Sequence, residues 1–186
     1  MGARTKMSFA AALLAGFLAA GNAENPSTNG AVMKIEITST AFAEGRPIPE
    51  KHAFENQDLS PALQWSGVPP AAKSLALVCD DPDAPMGTWV HWVVYDLPPA
   101  AAGLPEGVAK SPELAGGVKQ GVNDYKKTGY GGPCPPPGKP HRYFFKLYAL
   151  DTLTGIKAGA TKKDLLKAMD GHVLAEGQLM GTFQRH

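Results

Sequence analysis

Apolar and polar residues alternate from Val32 to Ser39, with Met33, Ile35 and Ile37 on one face and Lys34, Glu36 and Thr38 on the other. That period of two predicts a half-buried strand. Phe42 to Ala62 follows as a long connection punctuated by Pro47, Pro49 and Pro61. Leu63-Gln64-Trp65 predicts a short strand before the Gly67, Pro69 and Pro70 turn. Ser74 to Cys79 is apolar without alternation, which suits a central strand, and Trp89 to Leu97 is a second such run, rich in Trp, Val and Tyr. Leu97 to Gly121 carries Pro, Gly and Ala and predicts loop, while Tyr143 to Leu150 predicts a third strong strand. One helix is expected: Thr161 caps it, Asp164 sits at the capping-box position, Leu165, Leu166 and Met169 form its apolar face, and Asp170-Gly171 stops it. Val173 to Gln184 alternates and predicts a return to the sheet. The pattern is that of one mainly antiparallel β domain with few short helices.

Composition supports this: 17 prolines and 21 glycines in 186 residues suit many turns rather than a helical bundle. A formal net charge of +1, with no basic stripe, argues against a nucleic-acid partner. The first residues read as an export signal. Arg4 and Lys6 precede an Ala/Leu/Phe run from Ser8 to Gly21, too short for stable membrane insertion, and Gly21-Asn22-Ala23 has the small residues of a cleavage site. The expected organisation is a signal peptide over 1–23 and a single domain over 24–186, delivered to the periplasm or secreted.

Candidate chemistry gathers in two stiff segments. Asp81-Pro82-Asp83-Ala84-Pro85 follows one apolar run, and Gly131-Gly132-Pro133-Cys134-Pro135-Pro136-Pro137 leads to His141-Arg142-Tyr143. Trp89-Val90-His91-Trp92 lies between them. Residues two apart on a strand share a face, so Trp89 pairs with His91 and His141 with Tyr143. If those faces meet at a sheet end beside Asp81, two imidazoles, a phenol and a carboxylate converge. Asp81 then orients one histidine, and the Gly131-Gly132 backbone offers N–H groups to an oxyanion. An anion pocket explains this set better than its rivals. The two histidines and Asp81 form no local metal-binding signature, and Cys134 lacks the helix N-terminus that would activate a thiol. Walker, nucleophile-elbow and dinucleotide motifs are absent. In an oxidising compartment, Cys79 and Cys134 are either a disulfide closing a long loop or two small buried thiols.

At these residues the chain resembles the phosphatidylethanolamine-binding protein family, specifically its bacterial Raf-kinase-inhibitor-like branch. The resemblance rests on Asn56-Gln57-Asp58-Leu59-Ser60-Pro61-Ala62-Leu63-Gln64-Trp65, Cys79 to Pro85, Trp89 to Trp92, and Gly132-Pro133 through His141-Arg142-Tyr143, and runs from about Met33 to the C-terminus. It implies a Greek-key β-sandwich with a small anion pocket at one end, no metal and no organic cofactor. The implied pocket residues are Asp81, Asp83, Pro85, Trp89, His91, Gly132, Pro133, His141 and Tyr143. The implied ligand bears phosphate or another anion, as a phospholipid head group or phosphopeptide does, and is bound without catalysis. A protease- or kinase-inhibitor-like protein acting on a protein target is the alternative, and a hydrolase using His91 or His141 is a weaker one. His186 follows the last expected strand closely, without the extra C-terminal helix of animal members, so an open pocket or a homodimer covering it is expected.

Overall fold

The computed structural model describes residues 33–185; the leader expected over 1–23 lies outside them. Among the described residues, nine strands form two sheets. The larger has the order β1 (Met33–Lys34), β9 (Val173–Phe183), β8 (His141–Leu150), β4 (Ser74–Asp81), β5 (Trp89–Leu97) and β7 (Lys119–Gln120). The smaller has β2 (Glu36–Ser39), β3 (Leu63–Ser66) and β6 (Gly103–Leu104). All pairings between strands are antiparallel except β1 with β9.

Strand β4 is central because both its faces are apolar, and every residue of it is buried. Leu75, Leu77 and Cys79 join the main core, where Ile37, Leu63 and Trp65 of the smaller sheet meet Trp92, Phe145 and Leu147 of the larger. Ala76 and Val78 face the other way, into a second core with Val93, Tyr95, Leu165 and Met169. That second core lies beneath the helix α1 (Lys162–Met169), whose Thr161 and Asp164 form the expected capping box. Asp80, also on that side, is clasped by Lys146 at 2.9 Å and by Lys162 at the start of α1.

Two expectations are corrected. The alternating segment at 32–39 is not one strand: it crosses between sheets at Ile35, so Met33 is exposed while Ile35 and Ile37 are buried. Gly177 permits the crossing, since a Cβ there would stand 2.0 Å from the Ile35 carbonyl oxygen. Leu166 is exposed rather than part of the apolar face of α1. Leu165 and Met169, four apart, stack on one stripe, and Leu166 is turned away from it.

Adjacency of β8, β4 and β5 brings the end of β4 beside the starts of the other two. Asp81 pairs with Trp89, and Asp80 with Phe144. A bulge then changes what β5 presents. Cys79 faces Trp92 while Asp80 faces Val90, leaving His91 as the extra residue. In a regular strand His91 would point away from the Trp92 side. The bulge turns Val90 into the second core and His91 toward the main-core side, the re-aiming that bulges commonly perform beside functional sites.

Candidate functional site

A cavity of about 380 Å³ opens at this end of the larger sheet. Asp81, Trp89, His91, His141 and Tyr143 line it from the three strands, and Ala84, Pro85 and Met86 from the loop after β4. Tyr125, Cys134, Pro135 and Pro136 complete the wall.

The loop after β4 is locally self-supporting. The Asp83 N–H donates to Asp81 Oδ1 at 2.8 Å, the turn an aspartate two residues upstream favours. The Gly87 N–H donates to the Ala84 carbonyl at 3.1 Å, with Gly87 at φ +100°, a conformation that suits glycine. Outside the cavity the Arg142 guanidinium grips Asp83 at 2.7 and 2.9 Å, and its own backbone N–H adds a bond of 3.0 Å. This grip holds the Asp83 carboxyl below its usual range.

The two histidines are oriented differently. His141 Nδ1 lies 2.8 Å from Asp81 Oδ2, so Asp81, 3 % exposed, spends one oxygen on Asp83 and the other on His141. His91 Nδ1 lies 2.6 Å from the Gly131 carbonyl oxygen, which can only accept, so Nδ1 carries the proton. In return the Gly131 N–H donates to the His91 carbonyl at 2.9 Å. Burial holds the His91 pKa below the ordinary histidine value, which favours the neutral ring with Nε2 as an acceptor. Tyr143 and Tyr125 meet the His91 ring edge-on at 5.1 and 5.7 Å, and Trp89 packs against Tyr125 at 5.4 Å. Burial pushes both tyrosine pKa values up, so both phenols remain donors at neutral pH. Tyr125 donates to the Gly132 carbonyl at 3.1 Å. The Tyr143 hydroxyl and Trp89 Nε1 are buried with no partner among the described residues.

Four parts of the expected site are placed differently. Asp83 does not line the cavity; Arg142 holds it outside. Gly132 and Pro133 do not line it either and back its wall instead. The Gly132 N–H donates to Asp58 Oδ1 at 2.7 Å, and the Pro133 carbonyl accepts from the Phe54 N–H at 3.0 Å. The Gly131 and Gly132 N–H groups are therefore both spent within the protein and do not face an oxyanion. Glycine is needed there for another reason. A Cβ on Gly132 would meet the His52 carbonyl oxygen at 2.1 Å, and one on Gly131 the Tyr125 ring at 2.6 Å. Of the two readings left open for the cysteines, the structure has the thiols: Cys79 and Cys134 are both free. Cys79 belongs to the main core, whereas Cys134 borders the cavity.

The sequence reading missed Tyr125, whose signal was a large aromatic residue set among the turn formers Asn123, Asp124 and Gly129. It also missed Met86 and the carbon wall of Pro135 and Pro136. Among the described residues, no group of three or more His, Cys, Asp or Glu side chains stands in metal-binding geometry.

Comparison with known proteins agrees with the geometry. A family model described as phosphatidylethanolamine-binding protein matches residues 38–184. A UPF0098 protein of Methanothermobacter thermautotrophicus is 49 % identical over 151 residues, covering 81 % of this chain and 99 % of the relative. A second, from Aquifex aeolicus, is 45 % identical over 161 residues, covering 86 % and 92 %. A crystal structure from Chlamydia trachomatis, described as a putative phosphatidylethanolamine-binding protein homolog, is similar with a TM-score of 0.75 and 43 % identity, covering 82 % of this chain and 99 % of that one. Escherichia coli YbcL, described as a new member of the mammalian family, is similar with a TM-score of 0.77 and 32 % identity over the same shares.

Proposed function

The chain belongs to the phosphatidylethanolamine-binding protein family, and on that premise we propose that it binds, without chemical turnover, a small ligand bearing phosphate or a similar anion in the Asp81–His141 cavity. Membership supports ligand binding in general; the anion is our reading of the polar atoms. One observation carries it: the Tyr143 hydroxyl and Trp89 Nε1 are buried donors without partners in the wall of one cavity. Leaving such groups unpaired is costly, and a bound acceptor relieves that cost.

Among the described residues no lysine or arginine lines the cavity, and the one formal charge in that lining is the Asp81 carboxylate. Asp81 would repel an anion if it faced it bare. Its two oxygens instead accept from Asp83 and His141, which leaves the rings as the groups that meet the ligand. Protonation of the His91 imidazole, which an anion beside the ring favours, supplies the missing positive charge. Affinity should therefore rise as pH falls through the histidine range.

We read binding rather than hydrolysis because no activated thiol or hydroxyl nucleophile lines the cavity among the described residues. Cys134 is its only thiol, and burial together with neighbouring Glu55 raises that thiol's pKa. Export completes the proposal, on the leader pattern of Arg4, Lys6, Ser8–Gly21 and Ala23.

Sulfate tests the reading, since its charge is constant between pH 5.5 and 8. Calorimetry should show binding that tightens at least tenfold over that range as pH is lowered. Affinity independent of pH, or no binding at pH 5.5, would overturn the proposal.

A further inference from the structure

We infer that the anionic group of the ligand carries an apolar organic body, and that Met86 seats that body at the mouth of the cavity. The inference rests on the binding role proposed above and concerns the part of the ligand beyond the anion.

Size is the first argument. A volume of about 380 Å³ corresponds to about a dozen water molecules at some 30 Å³ each, so a bare phosphate leaves most of it unfilled. It lies within the range typical of sites for small organic molecules.

The distribution of polar atoms is the second. Asp81, Trp89, His91, His141 and Tyr143 come from the strands and bring both of the lining's imidazoles and its two buried side-chain donors left without a partner among the described residues, Trp89 Nε1 and the Tyr143 hydroxyl. The loops that complete the wall bring Ala84, Pro85 and Met86 on one side and Cys134, Pro135 and Pro136 on the other, carbon and sulfur surfaces to which Tyr125 adds a phenol whose hydroxyl is spent on the Gly132 carbonyl. A ligand matching both halves is anionic at one end and apolar at the other.

Met86 is the third. It borders the cavity yet is 94 % exposed, the most exposed of the large apolar residues among those described. The fold does not use it. Its backbone is nevertheless fixed, by the Gly87–Ala84 bond on one side and by the Asp83–Arg142 grip on the other. An unbranched side chain on a fixed backbone can fold over an apolar body and lose its own exposure to water, as methionines at binding surfaces do.

Calorimetry at pH 6 with inorganic phosphate, O-phosphoethanolamine, phenyl phosphate and butyl phosphate tests this. Phenyl and butyl phosphate should bind at least tenfold more tightly than the other two. Met86→Ser should shrink that advantage threefold or more, and Met86→Leu should restore it. Because the side chain is exposed, neither variant threatens folding. If inorganic phosphate binds but the four affinities agree within twofold, or Met86→Ser leaves the ratios unchanged, the inference falls and the anion-binding reading stands. If none of the four binds, both fall.

Discussion

The Gly132 N–H donates to Asp58 Oδ1 across 2.7 Å, joining residues 74 positions apart and holding the segment that orients His91. Asp58 is itself unusual. It sits at φ +54°, a left-handed conformation that aspartate and asparagine adopt more readily than most residues, and its other oxygen pairs with Lys110. Asp58→Ala removes the acceptor and puts a less tolerant residue in that conformation. A loss of about 1–3 kcal/mol is expected from the unpaired N–H alone, seen as a fall in Tm of several degrees. Asp58→Asn keeps an acceptor oxygen and the tolerance, and should recover most of the loss. Equal Tm values for the wild type and Asp58→Ala would show that this bond does not hold the segment.

That bond also marks where the sequence stopped being legible. Strands were readable because burial writes itself as period: β8 alternates, and β4 does not alternate because both faces are covered. Convergence of Asp81, His91, His141 and Tyr143 was expected on condition that the two faces met, and was implied by the family resemblance; the strand order that makes them meet was not readable. Nor was the bulge at His91, since nothing in Trp89-Val90-His91-Trp92 announces an extra residue, and the expected shared face of Trp89 and His91 does not by itself place Val90 and Trp92 in different cores. Glycines at 131 and 132 suggested free N–H groups, but a sequence does not say which distant acceptor will claim them. Asp58 and the His91 carbonyl did. Close approach was the reason for glycine, and it depends on His52 and Tyr125, which lie in the irregular connections.

The two cysteines give a direct chemical check. Both thiols are free. Protein unfolded in denaturant without reductant should therefore release two equivalents of colour with a thiol reagent. In the native state only Cys134 should react, and slowly, because burial and Glu55 raise its pKa. Cys79 is fully enclosed in the main core and should react only on unfolding. No free thiols in the unfolded, unreduced protein would mean that the bond forms after all.

Stability should fall with acidification in a window set by histidines. Burial lowers the pKa of both His52 and His91 in the folded state, whereas the unfolded rings titrate near 6.5. The unfolded chain thus binds more protons below that value. The sign follows: stability is level above about pH 6.5 and declines below it, at up to about 1.4 kcal/mol per pH unit for each ring. Asp83, Glu106 and Asp164, whose carboxyl pKa values are lowered, add their losses only nearer the carboxylate range. Urea unfolding at pH 7.5, 6.5 and 5.5 should show a falling midpoint over the last step. Added sulfate should reverse part of the fall, since a bound anion favours the charged ring. A constant midpoint across the three would remove the buried neutral histidines from the account.

Tyr143→Phe separates binding from folding most cleanly. The ring is 1 % exposed and packs against His91, and phenylalanine preserves that packing. The hydroxyl has no partner among the described residues, so its removal breaks no hydrogen bond and takes away a buried, unsatisfied polar atom. The free protein should be as stable as the wild type, or up to about 1 kcal/mol more stable. If the hydroxyl exists to meet an anion, the same change should weaken sulfate binding at pH 5.5 by roughly ten- to a hundredfold, about the worth of one hydrogen bond to a charged acceptor. Those two effects have opposite signs, and a purely structural tyrosine produces neither. A marked loss of stability would mean that the hydroxyl has an unseen role in the fold, and unaltered sulfate affinity would remove it from the ligand's surroundings.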